Sequence, residues 1–264
     1  MCRGGVIDLE HQKNFRRMLD ILEVDVNRLQ PIYHPVQFEN IIMPDDSFST
    51  TEGFTNEYRE TIDRLRNFAS KNQTPTSSKK VYYFYGAAQF GEERLAEYFK
   101  SKGYEIISPE RLTVDEQLNW LINAESFAST VGSCSHNSVF LRDNTETIFI
   151  PRAANRFAGY QTILNQVHPV NANYLDSSLS IFYKENGPYC FIISEQLKKF
   201  FGDEFNGYED DDLKIFLTYV RNSISQGYKV QESAMKYYAT IYPKFIEQLG
   251  QRKDLLEAFG VTLV

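Results

Sequence analysis

The segment from Val81 to Arg152 alternates short β-prone runs with stretches of helical periodicity. Four runs are rich in β-branched or aromatic residues and are predicted to be strands: 81–85, 104–107, 126–131 and 147–150. Between the first two, the segment 92–102 has apolar residues at the spacing of one helical face. Strands that alternate with helices in this way favour right-handed crossovers and a parallel sheet covered on both faces. The sequence therefore predicts an α/β fold with a Rossmann-like parallel sheet.

A second helix is predicted between the second and third strands. It begins with Thr113-Val-Asp-Glu116, the sequence of a capping box, in which Thr113 accepts a backbone hydrogen bond and Glu116 accepts one in return. Glu116 therefore has a structural role, which leaves Gln117 as the freer polar side chain of that turn.

In parallel sheets of this type, ligands bind beyond the carboxyl ends of the strands. Four loops occupy that position: 86–91, 108–110, 132–138 and 151–156. We expect the binding site to be assembled from the side chains and the backbone of these loops.

The loop 132–138 has the strongest pattern of an anion site. Gly132 follows a predicted buried strand and allows a tight turn, after which successive backbone N–H groups at the start of a helix can face a diphosphate. The polar side chains of this loop, which add further donors, are Ser133, Ser135, His136, Asn137 and Ser138. The alternative is that the serines and the asparagine only cap the helix that follows.

The other loops and the second helix supply single candidates. Gly86 opens a loop with the glycine spacing of a phosphate loop, but no Lys-Ser/Thr pair follows, which argues against an ATP-type site. Glu110 and Gln117 lie where side chains meet a ribose or sugar hydroxyl, although a solvated loop acid explains Glu110 equally well. Arg152 follows the last strand, where a guanidinium can clamp a phosphate.

Several classes of function are disfavoured. The net charge is −7 and no basic tract is present, so a nucleic acid is not an expected partner. No apolar run reaches the length of a membrane span. Three widely spaced cysteines fit neither a disulfide framework nor a zinc site, and a nucleophile formed by Cys134 and His136 lacks an orienting third group. The acidic residues 209–212 are interpreted as complementing a helix dipole rather than binding a metal.

Outside the central segment the elements alternate less regularly. Helices are predicted at 8–22, 55–70, 160–167, 195–201, 213–225, 231–249 and 254–259, the sixth of them interrupted at Pro243. Extended or strand segments are predicted at 36–38, 40–43, 178–183 and 189–193. The polar, aperiodic segment 71–80 is the best linker in the chain and predicts a domain boundary near residue 75.

The order of these segments resembles that of a known family. Gly103-Tyr-Glu-Ile-Ile-Ser-Pro-Glu110 is followed by Leu112-Thr-Val-Asp-Glu-Gln117, by a strand that ends at Gly132, by Asn137-Ser-Val-Phe140 and by the run 147–151. In this order the motifs resemble the catalytic domain of glycosyltransferase family 61, and the resemblance extends over residues 54–151.

The resemblance implies a GT-B fold, in which two Rossmann-like domains face each other across a cleft. It implies a reduced N-terminal, acceptor-side domain at 1–75, a nucleotide-sugar-binding domain at 76–200 and a C-terminal helical region at 201–264. It further implies a glycosyltransferase without a metal or cofactor, which transfers a sugar from a nucleotide-sugar donor to a glycan acceptor. The same resemblance implies bacterial capsule or surface-polysaccharide biosynthesis, in the cytoplasm or peripherally at the inner membrane face.

By position, the resemblance assigns to the diphosphate Gly132, Ser133, Ser135, His136 and Asn137, and to the nucleoside or sugar Glu110 and Gln117. Two differences from the family favour an alternative, a non-catalytic binding or assembly subunit of the same fold. Ser133-Cys-Ser135 stands where the family has His-Gly-Ala, and Tyr85-Gly-Ala-Ala88 stands where the family has arginines. An unrelated Rossmann-like enzyme for another phosphorylated ligand is a third interpretation. A homo-oligomer or a partner subunit is an alternative way to complete the cleft.

Overall fold

The computed structural model describes residues 13–30, 32–49, 51–86, 89–152, 159–182 and 188–260. The N-terminal part contains α1 (Lys13–Ile21), β1 (Phe48–Ser49), β2 (Gly53–Phe54) and α2 (Asn56–Lys71). The central part contains β3 (Lys80–Tyr83), α3 (Glu92–Ser101), β4 (Glu105–Ile107), α4 (Val114–Asn123), β5 (Ser126–Thr130), a 3₁₀ helix (Ser135–Phe140), β6 (Glu146–Ile150), α5 (Gly159–Val167) and β7 (Asn171–Tyr174). The C-terminal part contains β8 (Ser178–Leu179), β9 (Cys190–Phe191), α6 (Glu195–Phe200), α7 (Asp210–Ser225), α8 (Glu232–Ile241), α9 (Pro243–Gln251) and α10 (Lys253–Phe259).

Strands β3 to β7 form one parallel sheet in the order β4-β3-β5-β6-β7. Tyr82 on β3 pairs with Ile106 on β4 and with Ala128 on β5, which pairs in turn with Ile148 on β6. The chain leaves β3 in one direction to form β4 and then crosses back to form β5, so the strand order reverses beside β3. At such a point the two crossovers diverge and leave a crevice beyond the carboxyl ends of the strands. The predicted α/β fold with a Rossmann-like sheet is confirmed.

Alternate residues of each strand point to opposite faces of the sheet. Apolar side chains therefore lie on both faces, and helices cover both of them. Tyr83, Phe127 and Phe149 face the layer formed by α2, α4, the 3₁₀ helix and α5. Tyr82 and Ile148 face α3 and α6 on the other side. Both faces are therefore apolar, as is usual for a parallel sheet that is buried on both sides.

The C-terminal helices surround an apolar cluster of their own, with Phe216 and Phe245 among its fully buried side chains. Leu179 of β8 belongs to the same cluster, so the chain on both sides of residue 200 shares one core. In the same way, Leu65 of α2 shares a core with β3 across the connecting residues 72–79. The domain boundaries at 75 and 200 remain predictions.

The helix predictions agree with the structure to within a few residues, because each helix has a local apolar face. The predicted residues 8–12 of the first helix lie outside the described residues. The segment 231–249 forms two helices that meet at Tyr242, because Pro243 has no N–H to donate to the preceding turn. None of the helices in the described ranges is long and apolar enough to cross a bilayer.

The strand predictions outside the central segment are wrong in position or extent. Residues 36–38 and 40–43 pair with no strand in the part of the chain that is described. A hairpin forms instead at β1 and β2, where Ser49 Oγ accepts the N–H groups of Thr51 at 3.3 Å and Glu52 at 3.2 Å. Of the segments predicted around β8 and β9, only those two-residue strands form among the described residues. The edge strand β7 was not predicted, because its sequence Asn-Ala-Asn-Tyr has no β-branched residue and its strand conformation depends on pairing with β6.

Candidate functional site

The strand order predicts a crevice beyond β3 and β5, and the described parts of the loops that follow the strands lie at this edge of the sheet. The turn after β5 contains Gly132 and leads into the 3₁₀ helix, and the loop after β6 contains Arg152. The Arg152 guanidinium lies directly against the Gly132 backbone, since a Cβ atom added at position 132 would be 2.3 Å from Nη2 and 2.7 Å from Cζ. Any side chain at position 132 would displace the guanidinium. The fold therefore brings together two predicted site residues from different loops.

A second pair of candidates meets where the loops after β3 and β4 approach each other. A Cβ atom added at Gly86 would lie 3.2 Å from Oε1 of Glu110. Glu110 belongs to the 3₁₀ turn Pro109–Arg111, and Gln117 fixes this turn by donating from Nε2 to the carbonyl oxygens of Pro109 at 2.9 Å and Leu112 at 3.1 Å. Gln117 thus positions the loop that holds Glu110, and a contact of Gln117 with a sugar or nucleoside remains a prediction.

The hydroxyl groups of Ser135 and Ser138 are buried and bonded to Gln161 of α5. Ser135 Oγ lies 2.6 Å from Gln161 Oε1 and accepts the Gly132 N–H at 3.0 Å. Gln161 Nε2 donates to Ser138 Oγ at 2.8 Å. These bonds fasten the turn to α5, and a direct contact of either hydroxyl with a ligand remains a prediction. The sequence analysis did not identify Gln161, because nothing in its local sequence indicates a partner in a distant loop.

Asn137 and Ser133 complete the turn after β5. Asn137 Nδ2 donates to the carbonyl oxygens of Ser133 at 3.3 Å and Cys134 at 3.2 Å. Ser133 is exposed at the surface of the turn, whereas Ser135 and Ser138 are buried. Ser133 is therefore the serine of this turn whose hydroxyl a ligand can reach without any rearrangement.

The pKa values of Cys134 and His136, which lie in the same turn, are shifted in opposite directions. Burial, together with the nearby carboxylates of Glu110 and Glu92, raises the pKa of Cys134 to about 12. The thiol is protonated at neutral pH, so the structure gives no support to a thiolate nucleophile. Burial and the Arg152 cation lower the pKa of His136, so its imidazole is neutral at pH 7.

Glu92 is a buried carboxyl beside the end of β5 that the sequence analysis did not identify. It is the first residue of α3, it is 1% exposed, and its Oε1 accepts a hydrogen bond from Thr130 Oγ1 at 3.2 Å. Its Oε2 has no hydrogen-bond partner among the described residues. Burial raises the pKa of this carboxyl, while the Thr130 hydrogen bond and the Arg152 cation oppose the rise. In the sequence, nothing separates Glu92 from Glu93, because an acid at either position suits the start of a helix.

Two of the acidic residues 209–212 cap a helix and form ion pairs with an arginine. Glu209 and Asp212 form a capping box at the start of α7, and they accept hydrogen bonds from Arg94 of α3 at 2.8 and 2.9 Å. Within the described ranges, no group of three or more His, Cys, Asp or Glu side chains is arranged to hold a metal ion.

Comparison with known proteins adds one finding. The sequence model of a family described as Glycosyltransferase 61 matches residues 12–148, which is more than half of the chain. The matched span contains Gly86, Glu110, Gln117 and the turn 132–138, and Arg152 follows it closely. No curated protein matches the chain.

Proposed function

Because the chain belongs to glycosyltransferase family 61, we propose that it transfers a sugar from a nucleotide-sugar donor to a glycan acceptor. The diphosphate of the donor binds in the crevice beyond β3 and β5, and the part of the chain that precedes β3 forms the acceptor side of a reduced GT-B cleft. The reaction belongs to the assembly of a bacterial capsule or surface polysaccharide and takes place in the cytoplasm. The family supports the class of reaction, and the finer assignments are our proposal.

The observation that carries this proposal is the position of the Arg152 guanidinium against Gly132. Among the described residues, no carboxylate lies within salt-bridge distance of Arg152, although its cation influences the pKa of the buried Glu92 carboxyl. The N–H groups of Ser133 and Cys134 have no hydrogen-bond partner within the same described ranges. A guanidinium next to unpaired backbone N–H groups matches the geometry and the charge of a diphosphate.

This arrangement suits the departure of a nucleoside diphosphate. An acceptor hydroxyl oxygen forms a bond to the anomeric carbon of the donor sugar, and the bond from that carbon to the diphosphate oxygen breaks. The electron pair of the broken bond stays on the diphosphate, where Arg152 and the N–H groups of the turn stabilise the developing negative charge. Glu110, held beside Gly86, accepts a hydrogen bond from a hydroxyl of the sugar or the ribose.

Donor binding tests the proposal. We expect one of a panel of UDP-, GDP-, CMP- and ADP-sugars to raise the thermal midpoint of the folded protein, because a ligand that binds only the native state stabilises it. Arg152→Ala should weaken this binding by about tenfold or more, since a charge-assisted hydrogen bond to phosphate contributes about 1.5–3 kcal/mol. Arg142→Ala is the matched control, because Arg142 is an exposed arginine bonded to Gln73 Oε1.

The remaining outcomes separate the alternatives. A donor that binds but is neither transferred nor hydrolysed would favour a non-catalytic binding subunit. Stabilisation by a dinucleotide or a nucleoside triphosphate alone would favour an unrelated Rossmann-like enzyme. If no sugar nucleotide stabilises the protein, or if Arg152→Ala and Arg142→Ala behave alike, the assignment of the crevice to a diphosphate is wrong.

A further inference from the structure

An apolar cavity of about 490 Å³ opens next to the crevice. Its walls come from four elements, with Phe48 on β1, Tyr58 on α2, Phe140 on the 3₁₀ helix, and Tyr160 and Leu164 on α5. All four elements pack on the same face of the sheet. A volume of this size lies within the range of sites that enclose small organic ligands, about 300–1,000 Å³.

His136 belongs to both the cavity and the crevice. It is the first residue after the buried Ser135 at the start of the 3₁₀ helix, and it lines the cavity. The His136 N–H donates to the Gly132 carbonyl oxygen at 3.2 Å, and the Arg152 guanidinium lies against the same glycine. Among the described residues, the charged or titratable groups that share the cavity with His136 or shift its pKa are Arg152 from the loop after β6, Tyr58 from α2 and Tyr160 from α5. A neutral imidazole in this position can accept a proton.

The chemistry of the walls indicates what the cavity binds. A bare sugar needs many hydrogen-bond partners, and these walls are mostly aliphatic and aromatic. The rings of Phe48 and Tyr58 pack with their centroids 5.0 Å apart, and Tyr160 is 52% exposed at the entrance. An aromatic or alkyl group therefore fits this cavity better than a carbohydrate ring does.

We propose that this cavity binds the apolar aglycone of an acceptor glycoside, and that His136 accepts the proton of the attacking hydroxyl. This inference rests on the proposed function. The acceptor O–H proton moves to the imidazole as the oxygen bonds to the anomeric carbon, and the electron pair of the broken bond leaves with the diphosphate. The imidazolium then releases its proton to solvent after the product departs.

The protein itself offers one other occupant for the cavity. The extended segment 32–43 has exposed apolar side chains, among them Ile42 at 91% and Met43 at 80%. This segment joins the chain shortly before Phe48, and its side chains are solvent-exposed rather than placed in the cavity. The same segment from a second copy of the chain is therefore the competing occupant, and the experiment has to distinguish it from an aglycone.

Calorimetry can measure binding to the cavity without any donor. The probes are 4-nitrophenyl and octyl hexosides, with the free hexoses as controls. We expect the hexosides to bind and the hexoses not to bind. Tyr160→Ala should weaken hexoside binding by about tenfold, because it removes an aromatic wall, while Tyr160→Phe should bind as the wild type does. Tyr237→Ala removes a similarly exposed ring from α8 and should have no effect.

Measuring the role of His136 requires a sugar nucleotide that binds in the thermal-shift panel. His136→Asn should lower kcat by about a hundredfold or more. The wild-type rate should fall as the pH drops below the pKa of His136, which is lowered from the ordinary histidine value of 6.5, and this acid limb should disappear in the variant. Circular dichroism and the thermal midpoint without donor show whether the variant is folded.

Three results would overturn the inference. Equal binding of hexosides and free hexoses, or of the wild type and Tyr160→Ala, would exclude an aglycone site. A normal kcat for His136→Asn would exclude this residue as the base. If hexosides bind only after Ile42→Asp converts an oligomer to a monomer, the cavity belongs to segment 32–43 of a second copy. Failure of every sugar nucleotide to bind is a separate result, and it would contradict the proposed function instead.

Discussion

Glu92 and Glu93 are neighbours in the first turn of α3 and have opposite environments. Glu92 is buried beside Thr130 with one carboxylate oxygen unpaired, whereas Glu93 is exposed. The helix begins beside the crevice at the carboxyl end of β3, so its first residue faces the interior and its second faces solvent. The difference in burial cannot be predicted from the local sequence, because it arises from the way the helix packs against the sheet.

The buried Glu92 carboxyl should make stability depend on pH. Its folded-state pKa is raised above the ordinary glutamate value of 4.5, so the folded protein holds this proton more tightly than the unfolded chain does. Its contribution to stability is therefore present below the unfolded pKa and is lost as the pH rises through the folded pKa. We expect the thermal midpoint of Glu92→Gln to rise relative to the wild type as the pH increases from about 4 to about 8.

Glu93→Gln serves as the control for this measurement, because the exposed carboxylate has no comparable environment. Its midpoint should follow that of the wild type across the same pH range. A constant difference between Glu92→Gln and the wild type at every pH would mean that Glu92 titrates as an ordinary surface acid.

The candidate site shows at the residue scale how far sequence reasoning reaches. Gly86, Glu110, Gly132, His136 and Arg152 were predicted from their positions after strands, and two close pairs among them are present. The directions of Ser135 and Ser138 could not be predicted, because both depend on Gln161, which is distant in sequence. Glycine, serine and arginine residues after the strands predict a ligand-binding edge of the sheet. They do not determine which serine hydroxyl faces a ligand.

At the scale of elements, α3 depends on a close approach between its N-terminus and β9. Gly91 caps the helix with φ at +78°, and a Cβ atom there would lie 2.1 Å from the Phe191 carbonyl oxygen. The Phe191 N–H also donates to the Phe90 carbonyl oxygen at 2.8 Å. The start of α3 is therefore fixed against the backbone of β9, and only glycine fits at that contact.

Gly91→Ala should destabilise the protein by about 3 kcal/mol or more, because both the left-handed conformation and the backbone overlap oppose a side chain. Gly103→Ala is a matched control: Gly103 has φ at +83°, but no atom lies within 4 Å of its added Cβ. This second variant should lose only about 1–2 kcal/mol from the left-handed conformation. Urea unfolding measures both, and equal losses would show that the contact with β9 is unimportant.

At the scale of the whole molecule, one arginine connects the sheet layer to the C-terminal helices. Arg94 of α3 binds Asp212 at 2.9 Å and Glu209 at 2.8 Å, both at the start of α7. The Asp212 side chain is 2% exposed and also accepts the Ile193 N–H at 3.2 Å. This ion pair joins α3 to a region that packs around an apolar cluster of its own.

Arg94→Met should cost about 3–5 kcal/mol, because it leaves the Asp212 carboxylate buried without a cation. Lys236→Met breaks a pair with Glu232 at 2.8 Å in which both side chains are largely exposed, and it should change stability by less than about 0.5 kcal/mol. Chemical denaturation followed by circular dichroism compares the two variants. Similar small losses would mean that the Arg94–Asp212 pair does not hold the C-terminal helices to the sheet layer.

The sequence by itself determined the parallel α/β architecture, most of its helices and the edge of the sheet where we predict a ligand to bind. These features are predictable because their signals are local. Helical periodicity, capping boxes and the positions of loops after strands can each be recognised within a short segment of the sequence. Tertiary structure alone decided that β7 forms at the sheet edge, that Glu92 is buried, that Arg152 lies over Gly132 and that an apolar cavity meets His136. Each of these depends on contacts between segments distant in sequence, and such contacts exist only once the chain has packed.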